Sequence, residues 1–195
     1  SILQNTFETK LAFQEGKHSA MTYCMNPKGR IVRKYQDGLV MPDGQNFREE
    51  DGGTANLNFT LFVPQYFPTQ KAADDYAHGI IKRINKDCGR IVVQRWGDLL
   101  LGKRTAQEQI KNNQVQPTIE ADAGDLSLEV PSLFIHMLQM FFTRLERLLN
   151  QPIHSDTLLY GMDTKFYSPM IETDADLQTT IPGLYVIGDC SGVTH

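Results

Sequence analysis

The chain has 195 residues, of which 41% are hydrophobic and 22% are charged, and its formal net charge is −4. This composition is typical of a folded globular protein and excludes both an intrinsically disordered tail and a membrane protein. The acidic balance leaves no surplus of cations to neutralise phosphates, so we expect no nucleic acid among the main partners.

The three cysteines, Cys24, Cys88 and Cys190, stand far apart and form no Cys-x-x-Cys pair. Their spacing predicts neither a disulfide framework nor a zinc site, and the five histidines show no metal-binding spacing either. Reduced thiols are typical of the cytoplasm, which is where we expect the protein. The chain begins without Met, a basic stretch or an apolar run, so we expect a cut edge rather than a signal peptide.

The first half of the chain predicts strands, turns and one helix. Two strands between residues 21 and 40 are separated by a turn at 26–29 and followed by a turn at 37–38, which predicts a hairpin or meander. An alternating segment at 56–63 predicts a strand with one buried face. Apolar residues at three- and four-residue steps between 68 and 89 predict an amphipathic helix.

The second half predicts a longer helix between short strands. A strand at 90–95 is followed by a helical turn, and the helix that starts at Pro131 has an apolar face broad enough to need burial on more than one side. Further strands are predicted at 158–160 and 184–187. Because strands and helices do not alternate regularly, we predict an α+β fold with a mixed or antiparallel sheet and two main helices. The terminal strand is the exception, since its pattern is typical of a separate, parallel sheet.

Two local features favour simple interpretations. A basic cluster of four side chains lies around a predicted turn and strand, and we interpret it as a solvated face rather than a binding patch. It consists of Lys28, Arg30, Arg33 and Lys34. Cys24 lies beside the same turn, and we favour a packing role for it over a redox role.

The terminal apolar strand runs directly into Gly188 and Asp189. Ligands of open α/β sheets bind beyond the carboxyl ends of strands, so an aspartate in this place can hold a ribose or ribityl hydroxyl. A strand that runs into a surface turn would look the same. A dinucleotide fingerprint is excluded, because Cys190 occupies the position of its second glycine.

Several short motifs resemble those of flavoproteins. The terminal segment, together with residues 179–185, resembles the last FAD-contacting motif of flavoproteins with two dinucleotide-binding domains. More narrowly, much of the chain resembles the uncharacterised FAD-dependent dehydrogenase-like proteins of bacteria. Their inserted domain has a Cys-Met-x-Pro-x-Gly turn, similar to residues 24–29, and an Asp-Gly-Gly-x-Ala-Asn segment, similar to 51–56. Residues 97–100 and 167–169 are also similar to family positions.

The resemblance implies a set of FAD-binding residues near the end of the chain. Asp189 would accept hydrogen bonds from the ribityl hydroxyls, while Gly188 and Gly192 would let the backbone approach the cofactor. A helix that begins near Ser191 would direct free N–H groups at the pyrophosphate or flavin. The cofactor-binding residues expected on this basis are Gly188, Asp189, Cys190, Gly192 and Val193.

A second set would face the flavin or the substrate. It consists of Asp51, Gly52, Gly53 and Asn56, whose glycines permit a close approach without a Cβ atom. A simple loop turn is an equal alternative, because Asp-Gly is common in turns. No residue is assigned as a catalytic acid or base, and no metal site is predicted.

These features predict two parts of unequal size. We expect residues 1–178 to form an inserted, substrate-side domain and residues 179–195 to belong to an FAD-binding domain, the rest of which lies elsewhere in the same polypeptide. The resemblance implies a fragment of an FAD-dependent oxidoreductase of unknown substrate, with NADH or NADPH as electron donor. We expect the isolated chain to be inactive and to bind FAD weakly or not at all. The alternative is a non-catalytic ligand-binding or protein-interaction domain, with the broad helix as a docking surface.

Overall fold

The computed structural model describes residues 10–46, 52–164, 171–188 and 191. These residues form an α+β fold, as the sequence predicts, with two long helices and several short strands. In chain order the elements are β1 Ala12–Glu15, β2 His18–Pro27, β3 Arg30–Gln36, β4 Leu39–Gln45, β5 Leu57–Phe62, α1 Gln70–Asn85, β6 Val92–Arg95, α2 Trp96–Leu100, α3 Gln107–Lys111, β7 Asp122–Ala123, α4 Leu126–Glu129, α5 Ser132–Leu149 and β8 Leu158–Gly161.

The strands form three small sheets. β2 lies between β1 and β5 in an antiparallel sheet, β3 and β4 form a hairpin, and β6 pairs parallel to β7 and antiparallel to β8. The predicted meander is therefore corrected, because β2 does not pair with β3. A bulge between Tyr23 and Asn26, with Cys24 at a φ of 49°, interrupts β2 shortly before the turn. Such a bulge bends a strand, and here the chain then passes into the second sheet.

Both long helices begin and end close to their predicted limits. The Thr69 hydroxyl accepts a hydrogen bond from Ala72 N (3.2 Å) and caps the start of α1. α1 ends at Asn85, with Lys86 as its left-handed C-cap, rather than at Gly89. Pro131 immediately precedes the first helical residue of α5, and Asn150 provides a left-handed C-cap. None of the helices among the described residues has the length and apolar character needed to cross a membrane.

The core lies between α1, α5 and two of the sheets. Phe142 of α5 meets Trp96 edge-on, with ring centroids 4.7 Å apart, beside the mixed sheet. The ring of Phe141 packs against those of Phe13 in β1 and Phe59 in β5, with centroid distances of 6.2 and 5.7 Å. α5 thus buries its broad apolar face on two sides, as its sequence predicts.

The prediction of a terminal strand at 184–187 is wrong. These described residues form only an isolated bridge, between Gln178 and Tyr185. The Pro182-Gly183 turn is present, with Leu184 N donating to Ile181 O at 3.1 Å and a Gly183 φ of 81°. A strand needs a neighbour to satisfy its backbone groups, and none of the three described sheets includes this segment.

Candidate functional site

A cavity of about 1150 Å³ lies between the antiparallel sheet, the β3–β4 hairpin, α1, α5 and β8. Ligand pockets typically have volumes of about 300–1000 Å³, so this space is ample for a small molecule. Aromatic side chains from six segments line it: Tyr23, Phe59, Phe62, Tyr66, Phe67, Tyr76, Phe134, Phe142 and Tyr160. The face of β5 that the sequence predicts to be buried packs on the core through Phe59 and Leu61, although no residue of this strand is fully buried. The cavity lies beside the strand.

An ion pair between Lys34 of β3 and Asp163, which follows β8, lies in the wall of this cavity. The Lys34 side chain is 28% exposed and that of Asp163 is 18% exposed. Lys34 Nζ also donates to Thr164 O (3.2 Å), and Thr164 N donates to Asp163 Oδ1 (2.8 Å). Asp43 lines the same cavity, and its Oδ2 accepts from Gln45 Nε2 at 2.7 Å. We call Lys34, Asp43 and Asp163 the polar corner.

The environment of Asp163 makes ionisation of its carboxyl less favourable than in water. Burial raises the pKa of the Asp163 carboxyl above its ordinary value, because an ionised carboxylate loses hydration there. The hydrogen bond and charge of Lys34 partly offset this rise, and the nearby carboxylate of Asp43 adds to it. The corner therefore places the Lys34 cation beside two carboxyl groups, and the charge of Asp43 makes ionisation of Asp163 less favourable.

A pair of asparagines joins the strands next to this corner. Asn26 Nδ2 donates to Asn58 Oδ1 (2.8 Å), and Asn58 Nδ2 donates to Arg30 O (3.2 Å). Gly29 lies against them so closely that an added Cβ would be 2.5 Å from Gln45 O and 2.6 Å from Asn58 Nδ2. Only glycine fits at this crossing of the sheets.

The structure brings together two segments that carry the family resemblance. Thr54 N donates to Lys28 O (2.9 Å), and Thr54 Oγ1 donates to Gly29 O (2.6 Å). The 24–29 turn and the segment that ends at Asn56 are therefore neighbours, and Cys24, Gly29 and Asn56 all line the cavity.

The glycines of the second segment lie in the adjoining loop and not in the cavity lining, with φ values of 67° at Gly52 and 71° at Gly53. Asp51 lies outside the described residues. That this set faces flavin or substrate stays a prediction.

The predicted FAD-binding residues are only partly within the described residues. Gly188 has a φ of 94°, and apart from its chain neighbours no described residue has an atom within 4 Å of the place where a Cβ would be. Its carbonyl oxygen accepts from Ser191 N (2.9 Å) and Ser191 Oγ (2.8 Å). The other predicted residues, Asp189, Cys190, Gly192 and Val193, lie outside the described part of the chain.

The segment before Gly188 exposes a run of apolar side chains. Ile181 is 60% exposed, Leu184 47%, Tyr185 58% and Ile187 74%. Within the described residues, hydrogen bonds such as Thr179 N to Leu184 O (2.8 Å) and Val186 N to Leu177 O (3.0 Å) tie the segment to itself. The segment is thus folded locally while its apolar side chains face outward.

The basic cluster is not simply a solvated face, and that prediction is corrected. Arg33 donates to Gly89 O (2.8 Å) and to Glu120 O (2.9 Å), and Lys34 pairs with Asp163. The polar corner is the part of the site that sequence reasoning missed. Its partners are distant in sequence, and no spacing signal connects them.

A second polar network, around Arg95, has a structural role. Arg95 pairs with Asp156 and donates through Nε to Asn113 Oδ1 (2.8 Å), while Thr105 Oγ1 donates to buried Asp98 Oδ2 (2.7 Å). These residues do not line the cavity, and their partners belong to the same network. They join α2 to the loops around 113 and 156.

Neither a metal centre nor a disulfide occurs among the residues that the structure describes. No group of three or more His, Cys, Asp or Glu side chains there is arranged to hold a metal ion. Cys24 is half-buried and Cys88 is exposed, and both are thiols. Cys24 is nevertheless a cavity-lining residue rather than a fully buried packing residue.

Comparison with known proteins assigns no family to the chain. No protein-family model matches it, and no curated protein matches it in sequence. The geometry of the cavity and of the terminal segment, together with the motif resemblance, is therefore the basis for a functional proposal.

Proposed function

We propose that this chain is the substrate-side part of an FAD-dependent oxidoreductase. Its terminal segment would hold FAD together with a further part of the same polypeptide, and NADH or NADPH would be the electron donor. FAD supplies hydride or electron transfer when bound, while the protein provides position and electrostatics. The thiols at Cys24 and Cys88 fit a cytoplasmic location.

The observation that carries this proposal is the exposed apolar run that leads to Gly188. Apolar side chains exposed in one short segment are typical of an interaction surface. The four side chains at residues 181, 184, 185 and 187 are all between 47% and 74% exposed. A neighbouring part of an FAD-binding domain would cover these side chains.

The geometry of Gly188 fits a nearby cofactor. Its left-handed backbone, with no other described residue within 4 Å of a Cβ position, suits the close approach of a bulky group, which a side chain at this position would hinder. The motif resemblance, which places Asp189 on the ribityl hydroxyls, supplies the identity of that group as FAD. The cavity would bind the substrate.

The cavity also favours a second function, a non-catalytic ligand-binding domain. Its volume of about 1150 Å³ and its aromatic walls are features of a small-molecule site and require no flavin. The two functions differ in one observable, which is whether the protein made from the complete gene contains flavin.

The test compares the complete gene product with the 195-residue chain, each purified without added cofactor. We expect the flavin absorbance bands in the complete protein, their bleaching by NADH or NADPH, and little or no flavin in the 195-residue chain. A complete protein without flavin would refute the oxidoreductase and leave the ligand-binding domain. Tight, stoichiometric flavin binding by the 195-residue chain would instead contradict a divided FAD site.

A further inference from the structure

We propose that the cavity binds a mostly apolar molecule with one uncharged hydroxyl group, which hydrogen-bonds to both Lys34 and Asp163. As a binding site this inference needs only the described residues. As the site of the substrate, it rests on the proposed function. The ligand is thus defined by its apolar body and by a single polar group at the polar corner.

The walls of the cavity determine the apolar body of the ligand. The tilted rings of Phe67 and Tyr76 have centroids 5.1 Å apart on the α1 side, and those of Tyr23 and Phe62 have centroids 6.2 Å apart on the sheet side. All four line the cavity. Aromatic rings offer large apolar contact areas, so an aliphatic or aromatic body would gain most of its binding energy here.

The polar corner selects an uncharged group because its central pair already neutralises itself. Lys34 and Asp163 are both mostly buried and in contact. A ligand carboxylate would compete with Asp163 for Lys34, and a ligand ammonium would compete with Lys34 for Asp163. In either case, one buried charge would lose its partner, which is unfavourable.

Hydrogen-bonding capacity at the corner matches a hydroxyl group. The ammonium group of Lys34 has three N–H donors. Among the described residues, its hydrogen-bond acceptors are Asp163 Oδ1 and Thr164 O. The bonds of the Asp163 carboxyl to Lys34 and Thr164 are both made through Oδ1. A hydroxyl both accepts and donates, so it can accept from Lys34 Nζ and donate to Asp163 Oδ2.

Asp43 makes an anionic ligand still less favourable. It brings a second carboxyl group to the corner, where Gln45 Nε2 holds its Oδ2 at 2.7 Å. A ligand cation would be attracted by this extra carboxylate, although it would still displace Lys34 from Asp163.

The experiment measures how four probes with the same naphthalene ring bind to the 195-residue chain by isothermal titration calorimetry. The probes are naphthylmethanol, methylnaphthalene, naphthoate and naphthylmethylammonium. We expect naphthylmethanol to bind about three- to tenfold more tightly than methylnaphthalene, the range for one net hydrogen bond, and more tightly than both ions. Tighter binding of either ion, equal binding of the alcohol and the hydrocarbon, or no binding of any probe would overturn the inference.

A double variant, Lys34→Met with Asp163→Leu, removes both charges of the ion pair at once, so that neither is left without the other. We expect it to bind the alcohol and the hydrocarbon equally well. The matched control is Lys71→Met with Asp75→Leu, which removes an ion pair that is 81% and 66% exposed on α1 and should retain the preference. A retained preference in the first variant would contradict the assignment to Lys34 and Asp163.

Circular dichroism verifies that both variants fold. If the first does not, the probe series on the unchanged chain still decides the question. Because neither measurement involves flavin, failure of this inference is distinguishable from failure of the proposed oxidoreductase.

Discussion

Glycine has opposite effects on stability at two positions of this chain. Gly29 packs against Gln45 O and Asn58 Nδ2, at 2.5 and 2.6 Å from where a Cβ would be, so a side chain there must displace a backbone atom. Gly79 lies inside α1 with no atom within 4 Å of the same point. The first glycine is required by packing, whereas the second only weakens its helix.

We therefore expect the same substitution to change stability in opposite directions. Gly29→Ala should lower the free energy of unfolding by about 1–3 kcal/mol, the usual cost of overpacking. Gly79→Ala should raise it by about 0.5–1 kcal/mol through helix propensity. Urea unfolding measures both, and a Gly29→Ala variant as stable as the unchanged chain would show that the strands do not cross this closely.

The Arg95 network makes stability depend on pH. The hydrogen bond from Arg95 holds the pKa of the Asp156 carboxyl below its ordinary value of 3.8, and the bond from Gln114 N acts in the same direction. A lowered carboxyl pKa stabilises the fold above the unfolded-state pKa, and this stabilisation is lost as the pH falls through the folded-state pKa. The raised pKa of Asp163 affects the pH dependence of stability in the opposite direction.

Asp156→Asn should lower the melting temperature at neutral pH, and its difference from the unchanged chain should shrink as the pH falls below the ordinary carboxyl pKa of 3.8. Thermal melts followed by circular dichroism across this range measure the effect. The exposed Asp75→Asn variant is the control and should show a much smaller difference at every pH. A difference that grows as the pH falls would have the wrong sign for this account.

Among the elements, α5 contributes most visibly to the core. Phe141 contacts the rings of Phe13, Phe59 and Phe142, while Leu148 of the same helix is 67% exposed. Phe141→Ala should destabilise the chain by about 3–5 kcal/mol, the usual effect of truncating a buried phenylalanine. Leu148→Ala should change stability by about 0.5 kcal/mol or less. Similar effects of the two variants in urea unfolding would contradict the packing of α5 on both sheets.

Elements with long periodic patterns were predictable from sequence, and pairings between distant residues were not. The stripes of α1 and α5 extend over several turns, so their existence and approximate ends follow from hydrophobic spacing. β7 has two residues, too few for any pattern. Lys34 and Thr164 are 130 residues apart, and only the folded chain shows that β3 and the end of β8 meet at the cavity.

At the scale of the whole molecule, two features are suited to binding. The cavity can accept a small molecule, and the exposed run before Gly188 can accept another part of a protein. The Gly188-Asp189 motif predicted a functional role for the exposed run, although the strand that the sequence predicted there is not formed. A strand pattern in sequence describes side chains, whereas strand pairing depends on a neighbour that the described residues do not provide.

The central claim is that the segment around Gly188 and Asp189 holds FAD, and the flavin content of the complete gene product tests it most directly. The measurement is the ratio of bound flavin to protein in the unchanged protein, in Asp189→Ala and in the control Asp176→Ala, which changes an exposed acid in the same segment. We expect the first variant to lose most of its flavin while the control retains it. Equal flavin content in all three proteins, or no flavin in any of them, would contradict the account.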